Sequence, residues 1–292
     1  MKKVDPQNYK IEKSIHLEDF DTYDNLDADE DKLKKKLDKV RGKLGKFQDV
    51  MYAHGKYSVL VCLQGMDTAG KDSLIREVFK EFNSRGVVVH SFKNPTAIEL
   101  KHDYLWRHYI ALPERGKLAV FNRTHYENVL VTRVHPEYIL NENIPSIKSL
   151  DDVNESFWHQ RYDEINNFEN TINNNGTIIF KFFLHLSKKE QKSRLLRRLE
   201  LKEKNWKFSP ADMKERALWD SYQECYEKAI NQTSTPHAPW YIIPADDKDA
   251  ARLIVAEILY KELKKYKDIE EPELDEEIKQ HLDQYKKQLQ TE

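Results

Sequence analysis

The segment that most restricts the fold is an apolar run that ends in a glycine loop and a lysine. Tyr57-Ser-Val-Leu-Val-Cys-Leu-Gln64 is short, rich in β-branched residues and free of polar alternation, the pattern of a strand buried on both faces. It runs into Gly65-Met66-Asp67-Thr68-Ala69-Gly70-Lys71, which has the spacing G-x-x-x-x-G-K, and a helical pattern follows from Lys71 to about Phe82. In such a loop the glycines let backbone N–H groups converge on phosphate oxygens, the helix N-terminus adds partial positive charge, and the lysine reaches the transferring phosphate. Gly65, Met66, Thr68, Ala69, Gly70, Asp72 and Ser73 are therefore candidate phosphate or nucleotide contacts, with Lys71 as the principal cation. A glycine turn with a solvated lysine is the competing reading, and the strand and helix on either side weigh against it.

Two departures from the common pattern bear on metal binding. Asp72 stands where phosphate-loop NTPases carry the serine or threonine hydroxyl that holds Mg²⁺. Ser73 comes one place later, about 100 degrees round the helix, and does not replace it. Asp67 is the better candidate ligand, directly or through water, because hard cations take carboxylate oxygens; a carboxylate that caps the turn is the alternative. The second apolar run, Lys117-Leu-Ala-Val-Phe121, ends in Asn122-Arg123-Thr124-His125-Tyr126-Glu127. Such a strand end holds a second metal- or phosphate-binding residue, usually aspartate. The neutral amide of Asn122 can bind a metal-bound water but adds no charge. Arg123 suits a bidentate phosphate contact, or else a surface ion pair.

Further strands are expected over Gly86–Phe92, Lys117–Phe121, Thr177–Leu184 and Trp240–Ile243, with helical stretches between them. Alternation of this kind predicts an α/β fold of three layers, a parallel sheet of about five strands with helices on both faces. Trp158, Tyr162, Ile165, Phe168 and Ile172 share a helix face, which Asn173-Asn-Asn-Gly176 ends. A leading helix is expected over Asp29–Phe47 and an amphipathic one from about Lys248 to Lys265. Residues 1–55 read as an N-terminal helical extension, 56–267 as the phosphotransferase domain, and 268–292 as a charged tail with a weak helix.

Ser187-Lys-Lys-Glu190 and Ser209-Pro-Ala-Asp212 carry capping-box signals for two helix starts, joined by a polar, mobile connection from Lys202 to Phe208. Basic residues outnumber acidic ones between Lys188 and Lys207. The run is either a solvated helix face or, at about 187–212, a lid whose arginines close over phosphates.

A net charge of -2 argues against a general nucleic-acid binder. Cys62 and Cys225 have no metal or redox spacing and read as packed thiols in a reducing compartment. The positive N-terminus has no apolar stretch behind it, so no membrane partner is expected and the cytoplasm is the expected location.

Taken together, residues 63–75 (LQGMDTAGKDSLI), 91–96 (SFKNPT), 102–107 (HDYLWR), 121–135 (FNRTHYENVLVTRVH), 189–199 (KEQKSRLLRRL), 205–212 (NWKFSPAD) and 238–248 (APWYIIPADDK) resemble the polyphosphate kinase 2 family. The resemblance implies a thymidylate-kinase-like fold and phosphoryl transfer between inorganic polyphosphate and a nucleoside mono- or diphosphate. It further implies Mg²⁺, for which Mn²⁺ substitutes, and no phosphoenzyme intermediate. Asp67 and Lys71, then Asn122 and Arg123, match the metal- and phosphate-binding positions. Glu127 matches a position near nucleotide and metal, and Arg133 lies in the same segment on the nucleotide side. Arg194 and Arg198 match basic lid positions, accompanied by Lys192, Arg197 and Lys207 as polyphosphate contacts. Asn122 with His125-Tyr126-Glu127 looks like the subgroup that accepts both AMP and ADP; adenine and also guanine nucleotides, and a homodimer or homotetramer, are expectations of the same kind. An ATP-dependent nucleotide or small-molecule kinase is the alternative enzyme. The missing loop hydroxyl leaves a non-catalytic polyphosphate-binding protein as a reading of another class.

Overall fold

In the computed structural model, which describes residues 1–291, the five expected strands form one parallel sheet. They are β1 (Ser58–Gln64), β2 (Val87–Ser91), β3 (Leu118–Asn122), β4 (Thr177–His185) and β5 (Trp240–Pro244), in the order β2-β3-β1-β4-β5. β1 is central, and all of its residues are buried, as its unbroken apolar run requires. Leu63 of β1 pairs with Asn122 of β3, so the loop that leaves β1 lies beside the polar end of β3. That juxtaposition, at the carboxyl ends of neighbouring strands, is where open parallel sheets bind ligands.

Among the described residues ten α-helices surround or extend from the sheet: α1 (Glu30–His54), α2 (Lys71–Val78), α3 (Trp106–Tyr109), α4 (Val131–Val134), α5 (Glu155–Asn174), α6 (Lys188–Glu200), α7 (Pro210–Ala217), α8 (Trp219–Thr233), α9 (Lys248–Leu263) and α10 (Glu276–Thr291). The period-2 alternation of the strands divides the core. Val59, Val61 and Leu63 of β1 pack with Leu33, Leu37 and Leu44 of α1 and Leu253, Ile254 and Ile258 of α9. On the opposite face Leu60 and Cys62 meet Phe168 and Ile172 of α5, and Phe183 and Trp240 meet α8.

Several elements differ from their sequence outlines. α1 continues past Phe47 to His54 and stops at Gly55, which supplies the left-handed cap at φ 66°. α9 is buried on most sides rather than amphipathic, because α1 packs along it in addition to the sheet. The connection after α6 is a 3-10 helix, Lys202–Lys207, pinned by Asn205 Nδ2 to the carbonyls of Arg198 at 2.8 Å and Leu199 at 2.7 Å. Residues before α1 belong to the fold as well: Ile11 N donates to Trp240 O and Ile242 N donates to Tyr9 O, each at 2.9 Å, which covers the free edge of β5. α10 follows the acidic stretch and buries no residue. No described helix is long and apolar enough to cross a membrane.

Candidate active site

The loop from Gly65 to Lys71 depends on unusual backbone geometry. Gly65 has φ 153°, and a Cβ there would sit 2.9 Å from the carbonyl oxygen of Leu184. Gly70, at φ 106°, caps α2 without a side chain and so leaves the helix N-terminus open. Thr68 also adopts a left-handed φ of 68°, a strain of about 1–3 kcal/mol that surrounding contacts must hold. Those contacts come from α6. Each N–H of the buried Arg194 guanidinium has a partner: Glu190 Oε1 at 2.8 Å, Thr68 O at 2.9 Å, Ala69 O at 3.0 Å, Ala245 O at 2.7 Å and Asp246 O at 3.0 Å. Gln191 adds a bond from Nε2 to Asp67 O at 3.1 Å.

Lys71 folds back, its Nζ donating to Gly65 O at 2.5 Å and Met66 O at 3.4 Å. Burial, aided by the charge of Arg123, pushes its pKa down to about 8. Ser73 Oγ turns to Gly70 O at 2.9 Å.

At the end of β3, Asn122 Nδ2 donates to Asp72 Oδ1 at 2.6 Å, while Asn122 Oδ1 is buried without a partner. Asp72 therefore orients the amide so that its oxygen is left free. Arg123 has φ 58° and pairs with Asp67 at 2.7 Å and Glu127 at 3.5 Å. Burial opposes its charge, but Glu127 and Asp67 outweigh burial and raise its pKa above the ordinary value.

The turn that follows is anchored from beneath. Glu169 accepts from Tyr126 Oη at 2.8 Å and lies 3.1 Å from His125 Nε2. Lys181 Nζ reaches Glu169 at 2.7 Å, Tyr126 Oη at 2.8 Å and Thr233 O at 2.7 Å. Glu169 and Lys181 are fully buried, and this network fixes the short 3-10 turn His125–Asn128 that carries Glu127.

Two clefts open at this point. One, of about 660 Å³, is lined by Asp67–Ser73, Asn122, Arg123, Arg194, Arg197, Arg198 and Lys207, with Arg76, Lys204, Asp212, Lys248 and Arg252. The other, of about 700 Å³, has Phe92, Pro95, Leu100, Val131 and Tyr138 as apolar walls and Lys93, Asn94, Arg107, Asn128, Thr132, Asn141 and Glu142 as polar groups. Arg123 lines both, and Glu127 lines the second.

The expected residues thus fall into groups. Asp67, Lys71, Asp72, Ser73, Asn122, Arg123 and Glu127 converge. Arg197, Arg198 and Lys207 line the basic cleft, Arg198 also pairing with Asp212 at 3.1 Å. Arg194 differs from the lid cation read from sequence: four of its donors are spent on backbone carbonyls and the fifth on Glu190, so it braces the phosphate loop. Lys192 is exposed and does not line the basic cleft. Arg133 lines neither cleft; it pairs with Glu155 at 2.7 Å and lies over Trp158, tying α4 to α5. Residues missed by sequence reasoning include Arg76, Arg252 and the apolar cleft. Lys93, Asn94 and Arg107 did lie within motifs already noted, and Lys248 closed another, so those motifs were the available signal. Burial, followed by Arg194 and Arg197, lowers the pKa of Lys248 to about 8.

Comparison with known proteins agrees with this geometry. The profile described as "Polyphosphate kinase 2 (PPK2)" matches residues 27–272. An ADP-polyphosphate phosphotransferase of Rhodopseudomonas palustris is 50% identical over 217 residues, 74% of each chain. An AMP/ADP-polyphosphate phosphotransferase of Meiothermus ruber is 48% identical over 221 residues, covering 76% of this chain and 77% of that protein. The crystal structure of polyphosphate kinase 2 from Arthrobacter aurescens superposes with a TM-score of 0.84 at 33% identity, over 92% of both chains. With a central strand–loop–helix unit, a basic cleft and relatives that match across most of its length, the chain belongs to the polyphosphate kinase 2 family.

Proposed function

We propose that the chain transfers a phosphoryl group between inorganic polyphosphate and a nucleoside mono- or diphosphate, forming ADP from AMP and ATP from ADP. The observation that carries this reading is the junction at Arg123. A channel rich in cations suits a polyanion of indefinite length, whereas a mainly apolar cleft of about 700 Å³ suits one nucleotide. Their meeting at one guanidinium brings acceptor phosphate and polyphosphate terminus together.

In a direct in-line transfer, a terminal phosphate oxygen of the nucleotide bonds to the terminal phosphorus of polyphosphate. The bridging P–O bond breaks, and the shortened chain leaves with the bond's electron pair. Lys71, Arg123 and the open N-terminal amides of α2 are arranged to take up charge on these oxygens. For this, Lys71 exchanges its loop carbonyls for phosphate, a stronger partner for an ammonium group.

Among the described residues no three His, Cys, Asp or Glu side chains gather into a metal cage. The unpartnered Asn122 Oδ1, with the carboxylates of Asp67 and Glu127, nonetheless fits Mg²⁺ or Mn²⁺, since Mg²⁺ commonly takes one or two protein oxygens and completes its shell with phosphate and water. When bound, the ion neutralises phosphate oxygens. A cytoplasmic homodimer or homotetramer, accepting adenine and also guanine nucleotides, belongs to the same proposal.

The test is incubation with polyphosphate and Mg²⁺, without ATP, with AMP, ADP, GMP and GDP as separate acceptors. Formation of the next higher nucleotide is expected. Product that appears only when ATP replaces polyphosphate makes the chain an ATP-dependent kinase. Tight polyphosphate binding with no product under Mg²⁺ or Mn²⁺ makes it a binding protein.

A further inference from the structure

We infer that His135 and Glu215 are positioning residues that couple the nucleotide cleft to the polyphosphate side, so that filling one tightens the other. The inference rests on the proposed assignment of the nucleotide to the apolar cleft. Its basis is a continuous chain of contacts that runs through α7, the helix that follows the basic cleft's 3-10 segment.

On the nucleotide side, Tyr138 forms part of the cleft wall and stacks on His135, with ring centroids 5.3 Å apart and planes at 24°. His135 N donates to Val131 O at 2.8 Å, and Val131 lines the same cleft. The imidazole is held between two carboxylates, Glu137 Oε1 at 3.5 Å from Nδ1 and Glu215 Oε2 at 3.0 Å from Nε2. Glu215 belongs to α7, and Tyr222 of α8 donates to the same Oε2 at 2.6 Å. The contact therefore ties the wall of one cleft to α7.

The next residue continues the path. Arg216 Nη1 donates to Gln191 Oε1 at 2.5 Å and to Lys188 O at 2.9 Å. Gln191, buried, passes the constraint on through Nε2 to Asp67 O in the phosphate loop at 3.1 Å. Both ends of the Gln191 amide are thus occupied with the donor and acceptor that chemistry requires. A shift of α7 disturbs the loop and the cleft wall together, because its two consecutive side chains grip one each. Neither His135 nor Glu215 lines either cleft, so their action is on geometry and not on substrate.

The test is an initial-rate grid over ADP and long-chain polyphosphate concentrations. In the parent chain the apparent KM for polyphosphate should fall about fivefold or more between limiting and saturating ADP. In His135→Ala and Glu215→Ala, each first checked for an intact thermal unfolding transition, that factor should drop below about twofold while kcat changes less. His135→Gln, which keeps an N–H donor at similar reach, should restore much of it. A purely structural role would lower kcat or folded yield without changing the interaction factor. Coupling that is absent in the parent chain, or unchanged in whichever alanine variant folds, overturns the inference. Leu100→Trp, which fills the apolar cleft, separates this from failure of the underlying assignment: an unaltered KM for ADP in that variant refutes the nucleotide site itself.

Discussion

At the scale of single residues, the phosphate loop brings cationic groups together at a cost. Lys71 lies partly buried beside Arg123, and its pKa of about 8 puts its titration within an accessible range. In the proposed role of Lys71 the protonated ammonium is the form that holds phosphate, so polyphosphate binding to the free enzyme should weaken as pH rises through about 8. Bound phosphate favours the charged form, so kcat should lose activity at a higher pH than kcat/KM. Measuring both profiles, with Lys71→Arg as comparison, checks this; the arginine variant should lose the alkaline limb seen in kcat/KM, since arginine stays charged. An identical limb in Lys71→Arg would assign the titration elsewhere. Replacing Lys71 or Asp67 by alanine should lower polyphosphate-dependent ATP formation by about a hundredfold or more with the thermal transition retained. Near-normal turnover in either purified variant refutes the assigned roles.

At the scale of elements, α6 acts as a brace for the loop. Arg194 satisfies carbonyls from two separate segments, the loop at Thr68 and Ala69 and the stretch just after β5 at Ala245 and Asp246. Removing it leaves these acceptors unpaired in a buried setting, so Arg194→Ala should destabilise the chain by about 3 kcal/mol or more, read by denaturant unfolding. Arg194→Lys should rescue little, because an ammonium cannot reproduce a planar set of five donors. A variant with wild-type stability and selectively weakened polyphosphate binding would return Arg194 to the lid role. This residue also marks the limit of what is legible in the chain. The strands, the glycine loop after β1 and the polar end of β3 at Asn122 follow from local pattern and topology, since buried runs and glycine spacing are short-range signals. The assignment of Arg194, Arg197 and Arg198 to different tasks does not, because three arginines within five positions of one helix look alike until the neighbours of each face are known. Arg133 is a similar case: its proximity to Glu127 in sequence suggested the nucleotide, whereas the helical path turns it toward Glu155 and Trp158. The apolar cleft was legible only in fragments, since its walls come from β2's following loop and from the segment 128–142, which no periodicity links.

For the whole molecule, the question is how a chain with net charge -2 holds a polyanion. Its charge is partitioned in space. Ten lysine and arginine side chains line the basic cleft against three aspartates, although the protein as a whole is slightly acidic. Elsewhere acidic residues predominate, most densely in the exposed stretch before α10, which discourages polyanions from binding other surfaces. Two consequences separate the clefts experimentally. Polyphosphate displaces small ions from many sites at once, so its apparent KM should rise about tenfold or more between roughly 50 and 200 mM salt, following the logic of counterion release. A nucleotide seated as proposed in the apolar cleft would lie largely against Phe92, Leu100 and Val131, and its KM should move about twofold or less over the same range. The comparison needs constant free Mg²⁺ and saturation with the partner substrate, so that only one affinity is read at a time. Lys248→Gln and Arg252→Gln, both on α9 where it lines the basic cleft, should flatten the salt dependence of polyphosphate KM while leaving that of the nucleotide unchanged. Equal salt dependence for both substrates would mean that they share one electrostatic channel, and the division of the site at Arg123 would be wrong.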